Sequence, residues 1–449
     1  MQQLISQALS GLPLQSDQGI WLGYSGGVDS EVLASLLGTY ASLHPELRVT
    51  LVHVHHGLSA NADSWAQHCA RRAAHYGLAF RLCRVTVPGG PRTSLEAEAR
   101  KVRYQGIRAL MTAGDILLTG HHEDDQLETL LLALKRGQGP KGLAAMGVQQ
   151  VFAGDCWLVR PLLNISRHQI EAYAASQGLV NIQDESNFDT RYDRNFLRQQ
   201  IIPALKSRWP HIAQTAGRSA ALCAEQQLAL DEVVRERLTP MLRHSPWGCS
   251  LDLAGVAQYA PHWQRLLLRA FIERQGGEMP SQVQLEQALA QLLEARDDAT
   301  VALRFGQILL QRHTGQVFVA HYQHQLAATA VTLVPGWQSA ELNGYVVEVR
   351  EVIEGARLRP PLAGEVWQLG TVAAMGLSGS YRCHPHFRDK GRELKKCWQE
   401  AGVPPWLRQR LPVLVIDGCL AAVPGVWLER RFLQQDSAPG LALSLSTSN

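Results

Sequence analysis

A short apolar run at residues 20–24 breaks into Ser25-Gly26-Gly27-Val28-Asp29-Ser30, and a helical pattern begins at once, over about residues 30–40. No other feature limits the fold as tightly. Two consecutive glycines at a strand tip let successive backbone N–H groups turn toward one point and shape a concavity for an anion. The helix behind it aims its partially positive N-terminus at the same spot. Ser25 and Ser30 add hydroxyl donors. A GxxxxGK[ST] loop would need a lysine here, and there is none, so that class is excluded. The bland alternative is a glycine-containing β-to-α turn with Ser and Asp as caps.

The strand–loop–helix unit then repeats. Residues 49–54 are β-rich and residues 63–76 helical; residues 79–87 are β-rich again. Thr93 and Glu96 form a capping box opening a helix to about residue 110. Residues 116–119 give a fourth strand and residues 124–135 a fourth helix. Such alternation predicts an α/β fold, a Rossmann-like parallel sheet with helices on both faces. Ligands in sheets of this kind bind beyond the carboxyl ends of the strands.

Two histidine-bearing strings stand at those ends. The second strand closes with His53-Val54-His55-His56-Gly57, and the fourth with Gly120-His121-His122-Glu123-Asp124-Asp125-Gln126-Leu127-Glu128. Leu127, Leu130, Leu131 and Leu134 follow helical spacing and predict the buried face. Asp124, Asp125 and Glu128 then fall on an adjoining flank near the helix N-terminus. Three readings compete there: ligation of magnesium by hard oxygen donors, simple capping of the helix dipole, and a His/Asp hydrolase centre for a transition metal. The upstream anion loop supplies a phosphate that needs magnesium, so the first ranks above the other two.

With 449 residues, two to three domains are expected. Beyond residue 210 the pattern changes to helices at 212–242, 263–275 and 282–294, the last opened by a Ser281/Gln284 box. A hairpin follows at 301–310 and 316–321, then a weakly patterned linker at 323–343. From residue 345, short strands surround one basic helix. These shifts divide the chain into residues 1–215, a mainly helical middle domain at 216–325, and a small α+β domain at 345–440. Hydrophobic and charged contents of 46% and 18% suit a globular chain. No apolar run reaches the length of a membrane span, and the first basic residue is Arg48, so a cytoplasmic protein is expected. The eight cysteines form no CxxC pair, which argues against zinc, iron–sulfur or dithiol chemistry.

The loop at residues 25–30 resembles the pyrophosphate loop of the ATP pyrophosphatase superfamily, whose members split ATP into AMP and pyrophosphate. Further strings narrow the likeness: Leu95-Glu96-Ala97-Glu98-Ala99-Arg100 with Arg103-Tyr104; Arg136-Gly137-Gln138-Gly139-Pro140-Lys141-Gly142-Leu143; Arg160-Pro161-Leu162-Leu163; Asp184-Glu185-Ser186-Asn187-Phe188-Asp189; and Tyr192-Asp193-Arg194-Asn195-Phe196-Leu197-Arg198. In this order they resemble the catalytic domain of the tRNA(Ile)-lysidine synthetases. Taken singly, each has a duller account, such as a loop punctuated by glycine or a solvated basic helix face.

The resemblance implies a ligase that joins free L-lysine to C2 of the wobble cytidine in an isoleucine tRNA with a CAU anticodon, through an adenylated tRNA. It implies ATP binding by Ser25, Gly26, Gly27, Val28, Asp29, Ser30, His55, Gly120 and His121. Magnesium falls to Asp29, Asp124 and Asp125. The chemistry falls to Asp29, Asp125, Glu128, Asp184, Asp189 and Arg194. Which of Asp125, Glu128, Asp184 and Asp189 seats the lysine ammonium and takes its proton stays open. A thiolating enzyme of the same superfamily is the nearest alternative. A homodimer is compatible with the sequence, which does not fix the oligomeric state.

RNA contacts are expected at Arg103, Arg136, Arg191 and Arg198, and on the C-terminal helix at Lys390, Arg392, Lys395 and Lys396. Residues 381–410 hold eight Lys/Arg against three Asp/Glu, a local excess of five positive charges where the whole chain has three. Trp398, Trp406 and Pro404-Pro405 interleave with these cations, as in surfaces that hold RNA phosphates.

Overall fold

The computed structural model describes residues 1, 3–12, 18–57, 59–88, 95–182, 185, 189–245, 247–277, 279–296, 301–321, 330–334, 336–435 and 438–447. It divides into two compact units, Met1–Asp231 and Glu232–Asn449.

In the first unit, α1 (Leu4–Leu9) precedes β1 (Gly19–Gly23), α2 (Val28–Leu43), β2 (Arg48–His55), α3 (Ala62–His75), β3 (Ala79–Arg84), α4 (Leu95–Arg108), β4 (Ile116–Leu118) and α5 (Glu123–Lys135). Then follow α6 (Pro140–Leu143), the hairpin of β5 (Gln149–Phe152) and β6 (Cys156–Val159), and α7 (Arg167–Ser176). The unit ends with α8 (Asp193–Phe196), a π-helix at Leu197–Ile201, α9 (Ile202–Arg208) and the start of α10 (Ile212–Leu238). The sheet order is β3-β2-β1-β4-β6-β5. All neighbours are parallel except the β5–β6 hairpin, which the sequence pattern did not reveal and which adds an antiparallel edge.

Helices on both faces follow from the two-residue period of the strands. Leu51, Leu118 and Val159 pack with Val32, Leu33, Leu36 and Leu37 of α2. Their chain neighbours Val52, Leu117 and Leu158 join Ile107 of α4 and Met111 on the opposite side. Strand order reverses direction at β1, with β2 on one side and β4 on the other, so the crevice at the carboxyl ends of β1 and β4 is the expected ligand site. The Thr93 of the expected capping box, and residues 89–94 generally, lie outside the described residues.

Behind the loop that leaves β1, one carboxylate organises the packing. Glu31, fully buried on α2, accepts from Arg72 Nε at 2.7 Å and Tyr76 Oη at 2.6 Å, and Tyr24 also donates to it. Burial and that bond push the Tyr24 hydroxyl pKa far up. This network spans α2, α3 and the tip of β1, and the sequence pattern did not point to it.

In the second unit, α11 (Leu253–Ala257), α12 (Pro261–Arg274) and α13 (Gln282–Glu294) share a core with an antiparallel sheet. That sheet is β7 (Leu242–Ser245), β8 (Gly248–Asp252), β9 (Ala302–Phe305), β10 (Ile308–His313) and β11 (Gln316–His321), ordered β7-β8-β11-β10-β9. The segment expected to be mainly helical therefore also carries five strands. The first two are four and five residues long, too short to show a period. Within the stretch expected as a linker, Ala330–Thr332 (β12) pairs with Trp367–Gly370 (β15), and Ser339–Leu342 (β13) with Tyr345–Val352 (β14). The first gains its order from a partner far along the chain, the second from a tight hairpin. The basic helix is α14 (Leu394–Glu400), after the short strands β16 (Arg382–Cys383) and β17 (Arg392–Glu393). Among the described residues, no helix is long and apolar enough to cross a membrane.

Replacing Glu31 with alanine strands Arg72 and two tyrosine hydroxyls in the interior. Loss of one partner from a buried pair costs about 3 kcal/mol or more. Urea unfolding of the full chain should show that loss; a change below about 0.5 kcal/mol would contradict the account.

Candidate active site

The loop between β1 and α2 has the shape its glycines predict. Gly26 sits at φ +84°, and a Cβ there would lie 2.6 Å from Ile182 Cδ1, so the position tolerates only glycine. The Ile182 N–H donates to the Gly26 carbonyl at 2.8 Å and ties the loop to the segment after α7. Ser30 does not face outward as a phosphate donor. Its hydroxyl donates to the Gly27 carbonyl at 3.0 Å and accepts from the Gly26 N–H at 3.1 Å. Ser30 is buried and braces the loop, while Ser25 is exposed. Gly27 caps α2 and Val28 opens it. At the end of β4, a Cβ on Gly120 would meet Asp29 C and Ser30 N at 3.2 Å, so this glycine lets β4 approach the first turn of α2.

Asp29 points across the crevice. Its oxygens lie 3.1 and 3.0 Å from Arg167 Nη1 and 3.8 Å from His122 Nε2. Burial raises its pKa, against the pull of His122 and Arg167. His122 is the hinge of the site. Its Nδ1 lies 3.2 Å from the Asp124 N–H and its Nε2 3.4 Å from Asp125 Oδ2. Asp125 returns the favour by accepting the His122 N–H at 2.9 Å, closing a capping box on α5.

Glu128 is fully buried and held by two arginines. Arg198 reaches it at 2.7 Å and 3.0 Å and also donates to Asp125 Oδ1 at 2.9 Å; Arg194 Nε lies 3.3 Å away. Burial raises the Glu128 pKa despite Arg198. Burial also works to raise Asp125, but His122, His121 and the His122 N–H outweigh it and hold its pKa below the ordinary carboxylate range. Arg198 is thus no member of a solvated RNA-facing stripe. The π-helix that carries it, a form often found at functional sites, sets it against α5.

Other expected site residues separate from this centre. Asp124 is bound through both oxygens to Lys206, each at 2.6 Å, so Asp29, Asp124 and Asp125 do not form one ligand set. No group of three His, Cys, Asp or Glu among the described residues could hold a metal. Asp29 and Asp125 remain, and one or two carboxylates beside substrate phosphates suit magnesium. Asp189 is engaged by Arg191, at 2.9 Å and 2.7 Å, close to its own loop. Asp184 lies outside the described residues. His55 faces Asp63 at 3.2 Å and Arg84 at 3.4 Å. His121 bonds Thr119 Oγ1 at 2.8 Å, and burial lowers its pKa to about 3. Arg103 is exposed, with Nε 3.3 Å from His56, and Arg136 is exposed just past α5. The α5 pattern also needs correction, since Leu127 is buried but Leu134 is more than half exposed, and acids fill the buried flank.

On α14, Lys395 and Lys396 are exposed, as is Lys390 before it, whereas Arg392 pairs with Glu400. Trp398 packs edge-on against Trp427 at 4.8 Å, and Trp406 against Phe318 at 5.7 Å. Trp398 is core and anchors the seven-residue helix, while Trp406 is partly buried against the same core.

Sequence patterns missed Arg167 and Lys206, and gave Arg160 a place in a string but no role. Arg160, almost fully buried after β6, donates to the Gly147 carbonyl at 2.7 Å and Gln150 at 3.0 Å. Arg167 left a faint signal, an arginine in the first turn of a helix, where the dipole disfavours it.

A glycine cradle at the tip of β1, facing carboxylates on the next strand's helix, defines a nucleotide-activating enzyme of the PP-loop class. Residues 1–205 match the family model described as the PP-loop domain. Residues 251–318 match the TilS substrate binding domain, and residues 374–445 the TilS substrate C-terminal domain. The chain is 49% identical to the tRNA(Ile)-lysidine synthase of Shewanella woodyi, covering 99% of this chain and 96% of that one. It is 50% identical to the synthase of Shewanella oneidensis, covering 98% and 97%. The chain belongs to the tRNA(Ile)-lysidine synthase family. A U34-tRNA thiolase from Methanococcus maripaludis is similar at 18% identity and a TM-score of 0.42, over 50% of this chain and 78% of that one. The high-identity relatives favour lysidine chemistry over thiolation.

His121 stays neutral in the folded state down to about pH 3, while an unfolded histidine takes a proton near pH 6.5. Between those values the unfolded chain binds more protons, so this histidine makes stability fall as pH drops. Urea unfolding at pH 7, 6 and 5 should give a shallower loss in His121→Gln than in the unsubstituted chain, by about 1 kcal/mol per pH unit. Parallel curves would disprove the assignment.

Proposed function

We propose that this chain uses ATP to activate the wobble cytidine of an isoleucine tRNA with a CAU anticodon and then joins free L-lysine to C2. The observation that carries the proposal is the link through His122, which places the loop at residues 25–30 beside the Asp125–Glu128 acids at one sheet edge. Two half-reactions need those two neighbours. In the first, the C2 oxygen attacks the α-phosphorus and pyrophosphate leaves toward the loop. In the second, the lysine side-chain amine forms a bond to C2 and AMP departs with the oxygen. The product is a carbon–nitrogen ligation, carried out in the cytoplasm.

The loop's main chain, Ser25 and the N-terminus of α2 hold the pyrophosphate end. Gly120, His121 and His55 line the adenosine side. Magnesium would be held by Asp29 and Asp125 and would supply neutralisation of the leaving charge. A lysine ammonium has a pKa near about 10.4, so it must lose a proton before it attacks. Asp125 and Glu128 seat that ammonium, and the raised pKa of Glu128 makes it the proton acceptor. Arg194 and Arg198 hold both acids until lysine arrives. Asp189 steadies its loop through Arg191 and acts at a distance from C2. An anticodon loop exposes its base at little unstacking cost. Arg103, Arg136 and Arg191 contact nearby phosphates, and Lys390, Lys395 and Lys396 contact the tRNA elsewhere.

The direct test is mass spectrometry of nucleosides from a tRNA(Ile) transcript incubated with ATP and lysine; lysidine should form only with both, and its absence refutes the proposal. Glu128→Gln should cut kcat/KM for lysine by about a hundredfold or more, with ATP affinity kept. Equal loss for both substrates would remove Glu128 from the lysine site. Replacing Lys390, Lys395 and Lys396 with alanine should weaken tRNA binding and lower its salt slope by about two to three. An unchanged slope would place RNA elsewhere.

A further inference from the structure

The loop at residues 25–30 has no lysine, yet the phosphates it is shaped to receive carry several negative charges into a crevice that already holds Asp29. Counter-charge has to come from another part of the chain. Arg167 stands at the first position of α7, after the Ser166 cap. A cation there opposes the helix dipole, and Glu171 one turn on offsets it by accepting from Arg167 Nε at 2.7 Å. Across the crevice, Nη1 donates to both Asp29 oxygens, at 3.1 and 3.0 Å. Its Nη2 has no hydrogen-bond partner among the described residues. The ion pair is not needed to dock the helix, because Ile170 and Ala174 of α7 are buried in the core that includes Val32 and Leu36 of α2.

We infer that Arg167 is the phosphate-binding cation of this loop, its guanidinium exchanging Asp29 for phosphate oxygens when the nucleotide arrives. A planar fork with spare N–H groups suits two phosphate oxygens better than it suits one carboxylate shared with Glu171. Asp29 cannot serve Arg167 and a nucleotide-borne cation together, so the exchange also frees Asp29 for that cation. The inference rests on the ATP half of the proposed function and is independent of lysine.

The test is calorimetric titration of full-length Arg167→Gln and Arg167→Lys with magnesium–ATP, magnesium–pyrophosphate and AMP, with thermal melting of each variant alongside. Arg167→Gln should weaken ATP and pyrophosphate by about 10- to 100-fold and leave AMP affinity unchanged. Arg167→Lys should recover part of the loss, since it keeps the charge without the fork. Unchanged ATP and pyrophosphate affinity in Arg167→Gln would overturn the inference. So would equal losses for AMP and ATP, the mark of a role confined to folding. An unsubstituted chain that binds neither ATP nor pyrophosphate would overturn the ATP reading itself, a result distinguishable from failure of the arginine alone.

Discussion

Three carboxylates gathered at the carboxyl edge of one sheet set the terms for everything around them. Asp29 is on α2, Asp125 and Glu128 are on α5, and each is largely withdrawn from water. Keeping a carboxylate charged in such surroundings costs several kcal/mol unless cations and donors surround it. The chain supplies them from distant segments: Arg167 from α7, Arg194 from α8 and Arg198 from the π-helix. The acids thus meet their counter-charges where those segments fold back over the sheet, α7 being docked there by Ile170 and Ala174 in the core. A site so balanced is ready to exchange partners, because an incoming ammonium or phosphate can replace an arginine without leaving any charge bare.

Capping and chemistry prove inseparable on α5. Asp125 closes the capping box with His122, as any first-turn acid could. The same carboxylate meets Arg198 and lies within reach of the imidazole that faces Asp29. One side chain thus fixes where the helix begins and what it presents. Changing it would disturb both, so the role of Asp125 is best separated from its structural duty by way of Glu128, which caps nothing.

Rigidity is built on the far side of the phosphate loop. Glu31, two residues beyond Asp29, gathers Arg72, Tyr76 and Tyr24 into a buried network. Ile182 closes over Gly26 from the other direction. The loop is held from behind and beside while its open face stays clear, which is how a main-chain cradle keeps its shape before a ligand arrives.

Local physics made much of this protein legible in sequence. Gly26 dictated a left-handed turn that only glycine adopts freely, the strand–helix alternation dictated a parallel sheet, and ordered strings such as residues 120–128 resembled a family that the relatives then showed. Tertiary structure alone decided the partners. Arg198 read as an RNA contact until the fold set it against Glu128, nothing in the sequence pointed Lys206 at Asp124, and Arg167 reads as a helix-start residue until α7 packs on α2. Strands β7 and β8 carry too few residues to show a period, and Trp398, which interleaves with the C-terminal cations in sequence, packs inward against Trp427. Periodicity and turn chemistry act within a few residues, so sequence records them. Ion pairing and packing join positions tens of residues apart, and only the folded chain brings those together.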